Sequence, residues 1–138
     1  MRLFLDSSAL AKRYVQESGT NRILSHLSEA SEVGLSSIAV VELLSAFNRL
    51  RREGKLGPRD YKALKKELAT DIKEASVITV NDLNITKAVH ALEVGVLRTL
   101  DAIQIGAAQT FRPDLFLTSD KRQYETALLL KLSAALIT

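Results

Sequence analysis

Short runs of apolar and β-branched residues recur along the chain and alternate with longer segments in which apolar positions return every three to four residues, the period of a helix with one buried face. The short runs predict strands over Arg2–Leu5, Val33–Ser36, Val77–Val80, Leu115–Thr118 and Ala134–Ile137. The longer segments predict helices over Ser7–Ser18, Asn21–Ala30, Ser37–Glu53, Pro58–Ile72, Asp82–Val94, Thr99–Thr110 and Lys121–Lys131. Alternation of this kind calls for right-handed crossovers and a parallel sheet covered by helices on both faces. The expected fold is therefore α/β, three layers deep, around a central parallel sheet of about five strands. Local punctuation agrees: Gly19 and Gly54 are placed to close helices, Pro58 to start one, and Ser36 or Ser37 to cap the helix that follows. No internal repeat, low-complexity tract or shift in composition divides the chain, so residues 1–138 are expected to form a single domain.

Composition narrows the chemistry more than the fold. The chain has 138 residues, of which 46% are hydrophobic and 25% charged, the balance of an ordinary globular protein with a real core. It has no cysteine, which removes disulfides, thiolate zinc sites and cysteine nucleophiles together and suits a reducing cytoplasm. The first apolar run is broken by Asp6, too early for a signal-peptide core or a membrane span, so no membrane association is expected. A net charge of +3 and a pI near 9.3 suit an anionic partner, although surface lysines that merely solvate give the same figures. Arg49, Arg51, Arg52 and Lys55 gather around one helix end, where positive charge complements the helix dipole.

Four carboxylates stand out by position. In a parallel sheet, ligands bind beyond the carboxyl ends of the strands, and Asp6 directly follows the first one in Leu5-Asp6-Ser7-Ser8. Asp120 follows the fourth in Leu117-Thr118-Ser119-Asp120. Either acid also serves as a helix N-cap, but two strands ending alike, with hydroxyls beside an acid, point to a shared edge. Asp101 lies in the first turn of an otherwise apolar, small-residue helix, on the side of Ile105 and Ala108. An ionised carboxylate there is costly unless a cation or a donor meets it. Glu42 faces away from the stripe Val40, Leu43, Leu44, Phe47 and Leu50, as a solvated helix glutamate does, with small neighbours in Ala39, Ser45 and Ala46.

Acids in this number suit hard divalent cations, which bind through oxygen; magnesium keeps several waters and takes few carboxylates. Two such ions about 3.5–4 Å apart support in-line phosphoryl displacement by water. Without metal the acids repel, and at least one pKa is expected to rise. Thr118, Ser119 and Ser7 are candidates to orient the carboxylates by hydrogen bonds, Thr118 first, whereas Ser8 reads as a helix cap.

The four segments together resemble the PIN-domain family, and within it the VapC-type toxins of toxin–antitoxin pairs, over essentially the whole chain. Leu5-Asp6-Ser7-Ser8-Ala9-Leu10 resembles the family's opening Asp-x-Ser-Ala-Leu motif, and Val40-Val41-Glu42-Leu43-Leu44 its conserved-glutamate helix. Leu97-Arg98-Thr99-Leu100-Asp101-Ala102 resembles the third motif, and Thr118-Ser119-Asp120 the Thr-x-Asp pattern of the fourth. The resemblance implies a PIN-like fold and an endoribonuclease in which Asp6, Glu42, Asp101 and Asp120 hold Mg²⁺ or Mn²⁺. It further implies an RNA substrate, a cognate antitoxin protein and a homodimer. For RNA phosphates the residues flanking the motifs are expected to serve: Lys12, Arg13, Arg98, Lys121 and Arg122.

Rival readings fit less well. A haloacid-dehalogenase-type phosphatase requires an acid where Ser8 stands, and a receiver domain requires a lysine after the fifth strand that this chain lacks. His26 and His90 have no zinc spacing, and no glycine-rich phosphate loop occurs. A non-enzymatic α/β interaction module stays open, because strand-end acids can simply cap helices.

Overall fold

A computed structural model describes residues 1–138. Five strands, β1 (Arg2–Leu5), β2 (Glu32–Ser36), β3 (Ser76–Ile78), β4 (Leu115–Thr118) and β5 (Ala134–Leu136), form one sheet in the order β3-β2-β1-β4-β5. Every neighbouring pair is parallel. Seven helices connect them: α1 (Ser7–Tyr14), α2 (Thr20–Glu29), α3 (Ile38–Arg52), α4 (Pro58–Glu74), α5 (Asp82–Val94), α6 (Thr99–Phe111) and α7 (Lys121–Leu129). This is the three-layer α/β architecture expected from the alternation.

The pleat sorts the strand side chains onto two cores. Leu3 and Leu5 of β1 and Leu117 of β4 join Leu10, Ile23, Leu35, Leu43, Phe47 and Leu68 under α1 to α4. Phe4 and Phe116, one residue out of phase, face the other way and pack with Ala91, Ile105, Ala108, Phe111 and Ala127 under α5 to α7. With both faces covered, the central strands read as unbroken apolar runs. On the second face α6 sits tight against α5, because a Cβ at Gly106 would come within 2.7 Å of the Asn84 carbonyl oxygen. That close approach fixes the height of α6, and with it Asp101.

Of the expected helix ends, one is corrected and one is resolved between its two alternatives. Gly19 does not close the first helix: α1 stops at Tyr14, and Gly19 opens α2 from a left-handed conformation, φ 91°. The connection is pinned instead by Lys12, whose Nζ donates to the Ser18 carbonyl at 2.6 Å. Nor does the Ser37 hydroxyl cap α3; Ser36 Oγ accepts from the Ile38 amide at 3.3 Å. Gly54, φ 73°, follows α3, and Pro58 occupies the first turn of α4, as expected.

Candidate active site

From β1 the chain steps outward through β2 to β3, then returns to the other side of β1 for β4 and β5. The crevice beyond the carboxyl ends of β1 and β4 is thus the point where the direction of winding reverses, the usual ligand position of such sheets. Asp6 stands there, directly after β1 and fully buried. Its Oδ1 accepts from the Ala9 amide at 2.9 Å, so it does cap α1. Hydroxyls surround the rest of the carboxylate: Thr118 Oγ1 donates to Oδ2 at 2.6 Å, and Ser8 Oγ shares its proton between Oδ1 at 2.7 Å and Oδ2 at 2.9 Å. Every one of these donors is neutral. Burial raises the Asp6 pKa from 3.8 to about 6, against the lowering effect of the bonds from Thr118, Ala9 and Ser8. The negative charge of Asp120 adds the smallest contribution, so desolvation more than the expected mutual repulsion lifts this acid.

Asp120 is tied to the same place through the backbone. Its amide donates to Thr118 Oγ1 at 3.0 Å, and the Ser119 amide donates to Ser8 Oγ at 3.0 Å. Its own Oδ1 accepts from the Arg122 and Gln123 amides at 2.8 and 3.1 Å, which caps α7. The Gln123 side chain then reaches across to α6, its Nε2 donating to Asp101 Oδ1 at 3.2 Å. Asp101 is buried, as its apolar helix requires, and its other oxygen accepts from Arg98 Nε at 3.3 Å. On the opposite flank, Glu42 Oε1 accepts from Ser7 Oγ at 2.8 Å and from Gln104 Nε2 at 2.8 Å. Gln104 Nε2 also donates to Ser7 Oγ at 2.7 Å, so α1, α3 and α6 meet at one carboxylate.

Three of the acids are therefore linked along one edge of the sheet, Asp6 to Asp120 through Thr118 and Asp120 to Asp101 through Gln123, while Glu42 joins the same edge through Ser7 and Gln104. No three acidic or histidine side chains converge into a ready ligand cage. Hydroxyls and amides stand between the acids: Thr118 and Ser8 at Asp6, Gln123 between Asp120 and Asp101, and Ser7 with Gln104 at Glu42. The acids and hydroxyls that line this edge offer oxygen alone as ligand atoms. Such a set suits a hard divalent cation.

Of the expected orienting residues, Thr118 and Ser7 contact site acids directly. The Ser119 hydroxyl does not: it is buried without a partner, and only its backbone is engaged. Ser8 is corrected in the opposite sense. It does not cap a helix but joins Asp6 to β4, a role its neighbour Asp6 obscured by being the cap. Residue pattern alone does not single out Gln104 and Gln123, although an amide one helical turn beyond Asp101 on a largely apolar helix is a usable signal. Among the basic residues, Lys12 is buried and spent on Ser18 and Glu17, and Arg13 forms a two-pronged pair with Asp71. Neither is placed for phosphate, since both serve packing of α1. Arg98, Lys121 and Arg122 line a shallow depression with Asp120 and are exposed.

The family model described as "PIN domain" matches residues 3–129. No curated protein matches the chain in sequence. Among solved structures, FitAcB from Neisseria gonorrhoeae has 15% identity and a TM-score of 0.75, with 96% of this chain and 95% of that chain covered. VapBC2 from Rickettsia felis, bound to a DNA fragment from its promoter, has 11% identity and a TM-score of 0.68 over 98% of each chain. VapC20 from Mycobacterium tuberculosis, a toxin that cleaves the sarcin–ricin loop, has 16% identity and a TM-score of 0.67 over 88% of this chain and 92% of that one. At such identities these likenesses concern the fold, and they agree with it throughout. Since the family model spans nearly the whole chain, and its strands end on the acids described above, this protein belongs to the PIN domain family.

Proposed function

We propose that this protein is a Mg²⁺- or Mn²⁺-dependent endoribonuclease of the VapC type, the toxin of a type II toxin–antitoxin pair. The observation that carries the reading is Asp6: a fully buried carboxylate at the switch point of the sheet, met only by neutral donors. An N-cap gains its benefit at the surface and needs no burial, so capping alone leaves the desolvation of Asp6 unexplained. Asp6, Asp101, Asp120 and Glu42 would hold the ions. When bound, the ions supply Lewis acidity toward the phosphodiester and activate the hydrolytic water.

The chain's own groups perform the supporting work. Thr118 and Ser8 hold Asp6 in one orientation, with burial lifting its pKa to about 6, so that the carboxylate would stand ready for a cation. Arg98, Lys121 and Arg122 flank Asp120 with exposed side chains, and in this reading they meet RNA phosphates, Arg98 and Lys121 by exchanging their exposed pairings with Asp101 and Glu125. A cognate antitoxin partner, a homodimer and a cytoplasmic setting complete the reading; a fold shared with a toxin–antitoxin complex from Klebsiella pneumoniae supports the antitoxin, and no helix here is long and apolar enough to cross a membrane.

The experiment is cleavage of a structured RNA by purified protein. Cutting is expected with Mn²⁺ or Mg²⁺ and is expected to stop with a chelator and in Asp6→Asn. Cutting that survives both would refute the assignment.

A further inference from the structure

Two glutamines inside the molecule have an arrangement that packing does not explain. Gln104 on α6 is 1% exposed and Gln123 on α7 is 3% exposed, and both stand at the sheet edge beside the site acids. Each uses its amide nitrogen on a site carboxylate, Gln104 on Glu42 and Gln123 on Asp101. Each leaves its carbonyl oxygen buried and without a donor. An unpartnered buried amide oxygen destabilises the fold, so an apolar side chain of similar size would serve packing at least as well. The end-for-end orientation is set by chemistry, because reversing either amide would press its oxygen against a carboxylate.

From this geometry, and resting on the metal-dependent reading above, we infer that Gln104 and Gln123 are positioning residues for the cation site. They aim Glu42 and Asp101 without neutralising them. A lysine or arginine in either place would also reach the carboxylate, but its full charge would compete with an incoming divalent ion. The carboxamide is the side chain that supplies an N–H and leaves the acid's charge intact. Gln104 further locks Ser7 to the same oxygen of Glu42, so that loss of the amide frees both partners at once.

The test is Mn²⁺ titration by calorimetry on chelator-treated protein, alongside thermal melting without metal, for the natural chain, Gln104→Leu, Gln123→Leu and Asp6→Asn. Loss of one amide is expected to weaken Mn²⁺ binding about tenfold, the usual effect of removing a group that orients a ligand. Melting without metal is expected to stay level or rise. Gln104→Met and Gln123→Met, unbranched and near the natural length, give the same measurement if leucine fails to pack. Unchanged Mn²⁺ affinity in both glutamine variants, or weaker binding accompanied by an equal loss of metal-free stability, overturns the inference while Asp6→Asn still abolishes binding. If the natural chain binds no Mn²⁺, the metal reading fails and this inference with it.

Discussion

Asp71 and Asp6 are the same residue type in the same domain, and the protein treats them in opposite ways. Asp71, on α4, accepts from Arg13 Nε at 2.7 Å and Nη2 at 3.1 Å and from Tyr14 Oη at 2.6 Å. Burial by itself would raise its pKa, but the bonds from Arg13 and Tyr14 prevail and the acid is held below its ordinary range. Burial of the Tyr14 hydroxyl and its bond to Asp71 raise the phenol in turn. Asp6 has no cation at all; hydroxyls and one amide surround it, and burial prevails. The difference separates a carboxylate that fastens helices from one kept in readiness for charge arriving from outside. Among the other site acids, only Asp101 meets a protein cation, Arg98, whose side chain is 78% exposed and free to swing away.

That contrast is breakable at several points. The largest effect is expected for Asp6→Asn, which should reduce RNA cleavage about a hundredfold or more while leaving metal-free melting level or higher; a clear drop in stability would return Asp6 to the class of ordinary caps. Asp71→Asn should do the reverse. It is expected to cost about 1–3 kcal/mol in denaturant unfolding and leave cleavage by the folded protein unchanged.

The two acids should also respond to pH with opposite signs. For Asp6 the folded-state pKa, about 6, lies above the ordinary 3.8, so over that interval the folded chain binds a proton the unfolded chain has released. Its contribution to metal-free stability therefore declines as pH rises from about 4 to 6, and Asp6→Asn should flatten this part of the profile. For Asp71 the folded pKa lies below the ordinary value, so its contribution is present above about pH 4 and lost as the solution is acidified further. The smallest effect is expected from the rim: Arg98→Ala or Arg122→Ala should weaken RNA binding modestly and lower the salt dependence by about one ion each, whereas Lys12→Ala should alter stability alone.

Much of the frame was legible in residue pattern because strand burial and helix period act locally. Leu3, Phe4 and Leu5 announce a strand covered on both faces, and the acids at 6 and 120 follow from where such strands end. Asp101 was legible from its apolar company. Less visible was whatever depends on one side chain choosing among partners far away in sequence. Lys12 and Arg13 look like phosphate ligands beside a motif, yet Ser18 and Asp71 claim them. Ser8 looks like a cap, but Asp6 takes that position and frees the hydroxyl to join α1 to β4. Gln104 and Gln123 gain their meaning only when α6, α7 and α3 are brought together at the sheet edge.

In the proposed reading the acids at the carboxyl ends of β1 and β4 share divalent cations. A crystal structure of the protein soaked in Mn²⁺, read by anomalous scattering at the manganese edge, addresses it most directly. An anomalous peak is expected, bonded to Asp6 and to at least one of Asp101, Asp120 and Glu42, with the amides of Gln104 and Gln123 still directed at their carboxylates. Peaks confined to other surfaces, with Asp6 still enclosed by Ser8, Thr118 and the Ala9 amide, would contradict it.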